Sequence, residues 1–406
     1  MRLRRTGEPS QVTIAMRVLV LNADHWMGLK IVRCLHLGGV RHITALSKRC
    51  RLGARSRHVR RRALRPDAAV HEVLDQIIDV YWRDGIDVIL PAIDDTYELV
   101  RRLSLRDHRV CCAPIPSVES YQLASDKRML AEYAATHEIR VPRFAPLEWS
   151  HSTAIDAAAA RVGFPALLKP AVGSQGGEWI MRVDNMADLR ARCATLRAAE
   201  TRPPYLLQQY VPGTDLSLSV LCAEGRIVAH AIQRNVGHRQ GDFGSQRIMD
   251  FVEDEQVLTV EQELMRALKW NGVANIDFRR AARDGTLYLL EANPRFWQAI
   301  IGCAYAGVNF PLLLCQLALG RPLTAVRYRH IRYAHPGAYW DTVVRRLMGR
   351  SVAAQVSFAA SGCLEILRDP LPEHLWYGRG LFDAARRRVF GARNGRHPAI
   401  AGVSAS

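Results

Sequence analysis

Short apolar runs set the frame of the chain. Arg17 to Leu21 (RVLVL) has the continuous apolar character of a buried strand, a polar turn follows as far as Gly28, and a helical stretch over 29–37 is closed by Gly38-Gly39. Ile43 to Leu46 reads as a second strand. Val70, Val73, Leu74 and Ile77 recur at helical spacing, and Ile86 to Pro91 (IDVILP) is another buried strand. Strands that alternate with helices predict an α/β domain with a parallel, doubly wound sheet. Its first turn, Asn22 to Gly28, lacks G-x-G-x-x-G, and no acidic residue ends the second strand, so no dinucleotide site is expected there.

A second unit begins near Ser117. Ser125 or Asp126 caps a helix carrying Met129, Leu130 and Tyr133 on one face, and Val141-Pro142 stops it. Thr153 to Val162 is an Ala-rich helix. Phe164 to Pro170 is a strand bounded by prolines, GSQGG (173–177) is a loop, and Trp179 to Val183 is the next strand. Tyr205 to Val211 and Leu216 to Cys222 are strands joined through Pro212-Gly213, and Val273 to Phe278 pairs with Thr286 to Glu291 as a hairpin around Asp284-Gly285. From Phe296 to Gly320 no charged residue occurs, but Gln298, Asn309, Pro311 and Gln316 interrupt the run, which favours a buried helix pair over a membrane span. Trp340 to Leu347 and Leu381 to Phe390 read as short basic amphipathic helices; the second raises peripheral contact with an anionic membrane, for which nothing else in the sequence speaks.

Composition narrows the function classes. With 49% hydrophobic and 23% charged residues over 406 positions, the chain has ordinary globular usage. The net charge of +17 first suggests nucleic acid, yet it sits at the ends: residues 1–62 carry 15 Lys/Arg against 2 Asp/Glu, residues 321–406 carry 14 against 5, and the middle is net acidic. A nucleic-acid partner is therefore not expected. Nine scattered cysteines without a C-x-x-C pair give neither a disulfide framework nor a zinc knuckle and suggest a reducing, cytoplasmic setting. Residues 1–15 lack the apolar stretch of a secretory signal, and Met16 is an alternative start to Met1. Nothing in the pattern defines an oligomeric state.

Two places carry candidate chemistry. Along the hairpin, Asp277 faces away from Ile276 and Phe278, and Glu291 and Asn293 share a face away from Leu290 and Ala292. With the turn near Asp284, Asp277 falls within about one residue of opposite Glu291, where cross-strand Cβ atoms are roughly 5 Å apart. Two carboxylates and an amide at that spacing suit Mg²⁺ bridging nucleotide phosphates; two solvated acids on an exposed hairpin are the alternative. Lys169, one of only five lysines, ends an apolar run just before the glycine loop. Backbone N–H groups and a compact cation together suit a polyphosphate, although the loop is not a P-loop and reads equally as an ordinary turn.

Taken in order, Ser125-Asp126-Lys127, FPALLKPAVGSQGG, Leu207 to Asp215 (LQQYVPGTD), Asn275-Ile276-Asp277-Phe278 and Leu290 to Arg295 (LEANPR) resemble the ATP-grasp superfamily in its carboxylate-amine ligase branch, from the N-terminal strand to about residue 320. The resemblance implies a Rossmann-like domain over 16–115 after a tail of 1–15, a small lobe and linker over 116–200, a large lobe over 201–325 and a basic extension over 326–406. It implies that Lys127 and Lys169 contact ATP phosphates, that the loop with Gly173, Ser174, Gly176 and Gly177 closes over them, that Gln208, Gln209, Tyr210 and Val211 read adenine, and that Asp215 binds the ribose. Gln208 stands where Glu is commoner. Asp277, Glu291 and Asn293 would hold Mg²⁺, with Mn²⁺ as a substitute, Lys169 would act at the transferred phosphate, and Arg295 would meet that phosphate or the substrate carboxylate. Arg234, His238 and Arg247, around a glycine-bearing stretch, would face a substrate carboxylate, a solvated basic loop being the equal alternative. The implied activity is ATP-dependent joining of a small-molecule carboxylate to an amine through an acyl phosphate. Bicarbonate activation, and a nucleic-acid-binding protein without catalysis, are the competing readings.

Overall fold

The computed structural model describes residues 14–65, 67–147, 152–173, 179–197, 204–238, 246–323, 326, 328–350 and 355–375. The chain divides into two compact units, one of residues 1–113, 311–323 and 364–406, the other of residues 114–310 and 324–363.

In the first unit β1 (Ile14–Leu21), α1 (Trp26–Leu37), β2 (Val40–Ser47), β3 (Val59–Ala63), α2 (Val70–Arg83), β4 (Val88–Leu90) and α3 (Asp94–Arg106) follow one another. The four strands form a parallel sheet in the order β3-β2-β1-β4. Val18, Leu19, Val20, Val88, Ile89 and Leu90 are fully buried, as continuous apolar strands covered on both faces should be. Gly53 lets the chain after β2 pass against α1, since a Cβ there would lie 2.6 Å from the carbonyl of Ala23. This unit also draws in sequence-distant chain. Arg33 of α1, 3% exposed, is gripped by Glu373 (Nη1–Oε1 2.6 Å, Nη2–Oε2 2.7 Å), and its Nη2 also donates to the carbonyl of Asp369 at 2.8 Å.

The second unit starts with α4 (Val118–Ser125) and α5 (Lys127–Thr136), then β5 (Phe144–Leu147), α6 (Ser152–Val162), β6 (Ala166–Pro170), β7 (Met181–Val183), α7 (Met186–Arg197) and β8 (Tyr205–Gln209). The strands β5-β8-β6-β7 form an antiparallel sheet, and Val162, Leu168, Val183, Leu189 and Leu207 fill the core between it and α6 and α7. Next come β9 (Gly213–Ala223), β10 (Arg226–His238), β11 (Gln246–Val252), α8 (Glu255–Ala267), β12 (Gly272–Ala281), β13 (Leu287–Asn293) and α9 (Ile300–Tyr305). α10 (Phe310–Ala318) belongs from Pro311 onward to the first unit; β14 (Arg332–Ala334) then completes a second antiparallel sheet, β13-β12-β9-β10-β11-β14, followed by α11 (Pro336–Leu347), and α12 (Cys363–Arg368) belongs from Leu364 onward to the first unit again. Leu218, Val220, Ile276 and Phe278 turn one face of this sheet into a core with Val257, Leu264 and Trp270.

Some boundaries differ from the sequence pattern. The strand expected from Trp179 begins at Met181, and Trp179 is 58% exposed in a turn. The helix opened by Asp126 ends at Thr136 rather than at Val141-Pro142, because Glu138 takes a left-handed conformation (φ 59°) that a helix does not continue through. The charge-free stretch is the short pair α9 and α10, and no helix among the described residues is long and apolar enough to cross a membrane.

Candidate active site

The hairpin β12–β13 is in the register that brings its acids together. Asp277 pairs directly with Glu291, and Asn275 with Asn293. Side chains alternate, so the same pleat that buries Ile276 and Phe278 sends Asn275, Asp277, Glu291 and Asn293 to the opposite face. Glu291 keeps 25% of its side chain exposed, so it is not the solvated acid of an open hairpin. Burial, followed by the facing Glu291 charge, pushes the Asp277 carboxyl up to about 8. Burial acts on Glu291 too, but Lys127 and Lys169 outweigh it and hold that carboxyl below its ordinary value.

A polar row extends from this pair across the sheet. Ser217 and Asn275 both donate to Asp277 Oδ1, the latter at 3.3 Å. Ser219 donates to Asn275 Oδ1 at 3.1 Å, and Gln233 Nε2 donates to Ser219 at 2.9 Å. All four supporting residues are buried. Sequence reasoning missed them. The signal was available in the strand period: Asn275 is two positions before Asp277, and Ser217 and Ser219 alternate inside the apolar run LSLSVLC.

Both expected lysines lie beside the acids. Asp126 caps α5 by accepting from the N–H groups of Arg128 and Met129, which fixes Lys127 as the first helical residue. Lys127 Nζ lies 3.4 Å from Glu291 Oε2 and donates to the carbonyl of Gly173 at 3.3 Å. Lys169, on β6, is 4% exposed; burial first and the Lys127 charge second lower its ammonium to about 7, against Glu291 and Asp277. Gly173 has φ 67° and open space around it. Ser174, Gly176 and Gly177 lie outside the described residues, as does the side chain of His238.

The expected nucleotide-reading segment follows β8. Gln208 is 3% exposed and pairs with Leu167 of β6. Gln209 Oε1 accepts from Arg143 at 3.3 Å, the Tyr210 ring lies 4.7 Å from the Arg182 guanidinium, and the Val211 carbonyl accepts from Arg279 Nε at 2.9 Å. Asp215 is tied to Arg279 at 2.5 Å, so a ribose would meet a carboxylate already held in an ion pair. Arg295 is half-buried, its Nη1 donating to the carbonyl of Phe296 at 3.2 Å. Arg234 is exposed and binds Asp250 at 3.1 Å, together with Arg332 at 2.6 Å. Arg247, on β11, is half-buried. The structure thus gathers Lys127, Lys169, Gly173, Asp277, Glu291 and Asn293, while Arg234 is engaged with Asp250.

Residues 201–335 match the family model described as ATP-grasp in the biosynthetic pathway with Ter operon. Among characterised proteins, the carbamoyl phosphate synthase large chain of Deinococcus radiodurans is 31% identical over 178 residues, 41% of this chain and 17% of that one. The corresponding chain of Caldanaerobacter subterraneus subsp. tengcongensis is 27% identical over 183 residues, 42% and 16% of the two lengths. The chain thus spans under a fifth of the length of these two relatives. Among solved structures, the biotin carboxylase domain of 2-oxoglutarate carboxylase from Hydrogenobacter thermophilus superimposes with a TM-score of 0.61 at 16% identity, over 78% of this chain and 73% of that one. N5-carboxyaminoimidazole synthetase from Staphylococcus aureus gives 0.60 at 15% identity, over 84% and 87%. The resemblance read from the five motifs is borne out: residues 201–335 match an ATP-grasp family model, and the fold is shared with the two solved structures.

Proposed function

We propose that the protein is an ATP-dependent ligase that activates a small-molecule carboxylate as an acyl phosphate and passes it to an amine, releasing ADP and phosphate. The observation that carries this reading is the pair Asp277 and Glu291, directly opposed across two strands with Lys127 and Lys169 beside them. Opposed half-buried carboxylates repel, and burial first with the Glu291 charge second holds the Asp277 carboxyl above its ordinary value. Oxygen donors of this kind fit Mg²⁺, and the site is relieved when a cation enters. Asp277, Glu291 and Asn293 would hold the ion, which when bound supplies positive charge to nucleotide phosphates.

The chain's own groups supply the rest. Lys127 and Lys169 neutralise phosphate oxygens, the Gly173 turn gives backbone close approach, and the Gln208 to Val211 segment with Asp215 orients the nucleoside. Catalysis in phosphoryl transfer is mostly positioning and electrostatics, so no side-chain nucleophile is required. Arg295, two residues after Asn293, is the group for the transferred phosphate, and Arg247 is a candidate for the substrate carboxylate. The family model's description, a biosynthetic pathway, agrees with bond-making chemistry. Carbamoyl phosphate synthase and biotin carboxylase among the relatives favour bicarbonate as the acid in a second reading.

The test follows the oxygen. With carboxylate substrates found by thermal-shift screening with Mg²⁺ and a non-hydrolysable ATP analogue, oxygen-18 in the carboxylate should appear in the released phosphate, and ADP release should require an amine. Label in AMP with pyrophosphate as co-product would mean an adenylate and sink the reading. Amine-independent turnover with bicarbonate would select the second.

A further inference from the structure

The basic residues of the first unit are not used by the nucleotide site, and the sheet register gathers several of them. Arg17 pairs with His42 across β1 and β2, Leu19 with Thr44, and Thr44 with Arg60 across β2 and β3. Paired positions, and positions two apart, share a face. Arg17, His42, Thr44 and Arg60 therefore project from one face, toward the amino ends of parallel strands. A cavity of about 290 Å³ lies there, lined by these four together with Arg41, Arg57 and His58.

The charges in this cavity are positive and largely uncompensated. Its one acid, Asp84, is already held at both oxygens by Arg62, at 2.5 and 2.7 Å. The Asp84 carbonyl accepts from Arg17 Nη1 at 3.1 Å, which fixes the position of that guanidinium. Among the described residues the side chains of Arg57, Arg60 and His42 have no hydrogen-bond partner, and His58 Nε2 is buried without one. Arg17, His42, Arg57 and Arg60 are exposed, and a concave surface lined by charges of one sign raises the local concentration of anions. Their forked N–H groups match phosphate oxygens two at a time.

We propose that this cavity is a second ligand site, which binds a small molecule carrying two linked phosphate groups. Its volume is near the lower end for ligand pockets, which suits a diphosphate with little attached. The concave shape favours a small anion over a nucleic acid, whose backbone would track along a groove. The proposal is independent of the reading of the nucleotide site.

The probe is inorganic pyrophosphate, titrated calorimetrically into the full chain, parent and Lys169→Met, at fixed ionic strength without divalent metal. Binding should persist in Lys169→Met, which impairs the nucleotide site and leaves the cavity intact. The double variant Arg57→Ser with Arg60→Ser should lose affinity for pyrophosphate by about tenfold or more, as expected on removing two charge-assisted contacts. The double lysine variant at these positions should retain part of the affinity, and ADP binding and melting temperature should be unchanged in both. Loss of pyrophosphate binding in Lys169→Met, or affinity equal in the serine variant and the parent, overturns the site. Tighter binding of a short single-stranded RNA that displaces pyrophosphate and is lost in the serine variant also overturns it, in favour of a nucleic-acid surface.

Discussion

Lys169 is a cation enclosed by apolar strand, and that makes two measurable statements. Its pKa of about 7 when folded lies below the unfolded value of 10.5, so the folded state binds fewer protons between these limits. Stability from this group therefore rises as pH increases from about 7 toward 10.5, and its burial penalty is complete below that window. Lys169→Met should weaken ATP binding, keep or raise the melting temperature without ligand, and flatten the alkaline rise. A large loss of melting temperature with unchanged ATP affinity would make the residue structural. A triphosphate arriving beside Lys169 should restore its proton, so ATP binding near pH 8 should take up a fraction of a proton. Binding heats measured without divalent metal, so that no cation displaces the Asp277 proton, should then differ between two buffers of different ionisation enthalpy; equal heats would refute it. For the acids, Asp277→Asn and Glu291→Gln remove like-charge opposition, so the fold should persist while turnover falls on the order of 100-fold. Parent-like turnover in both variants would remove the metal assignment.

At the scale of elements, the hairpin was legible because a strand has a period of two and a hairpin has a turn. Asp277, Glu291 and the Asp284-Gly285 turn are enough to set the register, and the structure places the acids directly opposite. The loop-flanked Lys169 strand and the capped helix at Lys127 were legible for the same local reasons. β3 was not. Its sequence, VRRRA, has no apolar alternation, since it is an edge strand specified by pairing with β2 rather than by burying a face. The supporting row Ser217, Ser219 and Gln233 needed knowledge of which strands are neighbours, and that is a non-local fact. Gly213 opens β9 just after the proposed nucleotide-reading segment, and a Cβ there would fall 1.9 Å from the Arg280 carbonyl of β12. Gly213→Ala should therefore destabilise the second unit by about 1–3 kcal/mol, the usual cost of forced overpacking, and loosen ATP binding with it. Denaturant midpoints equal to the parent would show that the strands part without strain.

On the scale of the molecule, two kinds of sequence information behave differently. The alternation of strands and helices announced the parallel sheet of the first unit, and five ordered motifs announced the second. The grip on Arg33 was invisible, because Asp369 and Glu373 are 336 and 340 positions away. Arg33, Asp369 and Glu373 are all buried. Glu373→Gln would leave an imperfectly matched cation inside the first unit, and breaking a buried pair in this way costs roughly 3–5 kcal/mol. Hydrogen exchange should then show lost protection in β1, β2 and α1 ahead of β9 and β12. Uniform loss, or none, would show that the clasp does not hold the unit. Arg33→Met paired with Glu373→Leu should recover much of the loss, since an apolar pair avoids the desolvation of both charges.

That clasp also bears on the order in which a ribosome releases the chain. Residues 14–106 emerge before the second unit and contain the four described strands of the parallel sheet, yet Arg33 must wait for residues 369–373 before its charge is matched. During that wait more than two hundred residues of the second unit are synthesised, and α1 carries an unpaired guanidinium on a surface destined to be interior. Premature termination near position 360 would accordingly register as a defect in the parallel sheet, which is made well before the break. Its signature would be protease cleavage near Arg33 in a chain whose break lies at the other end.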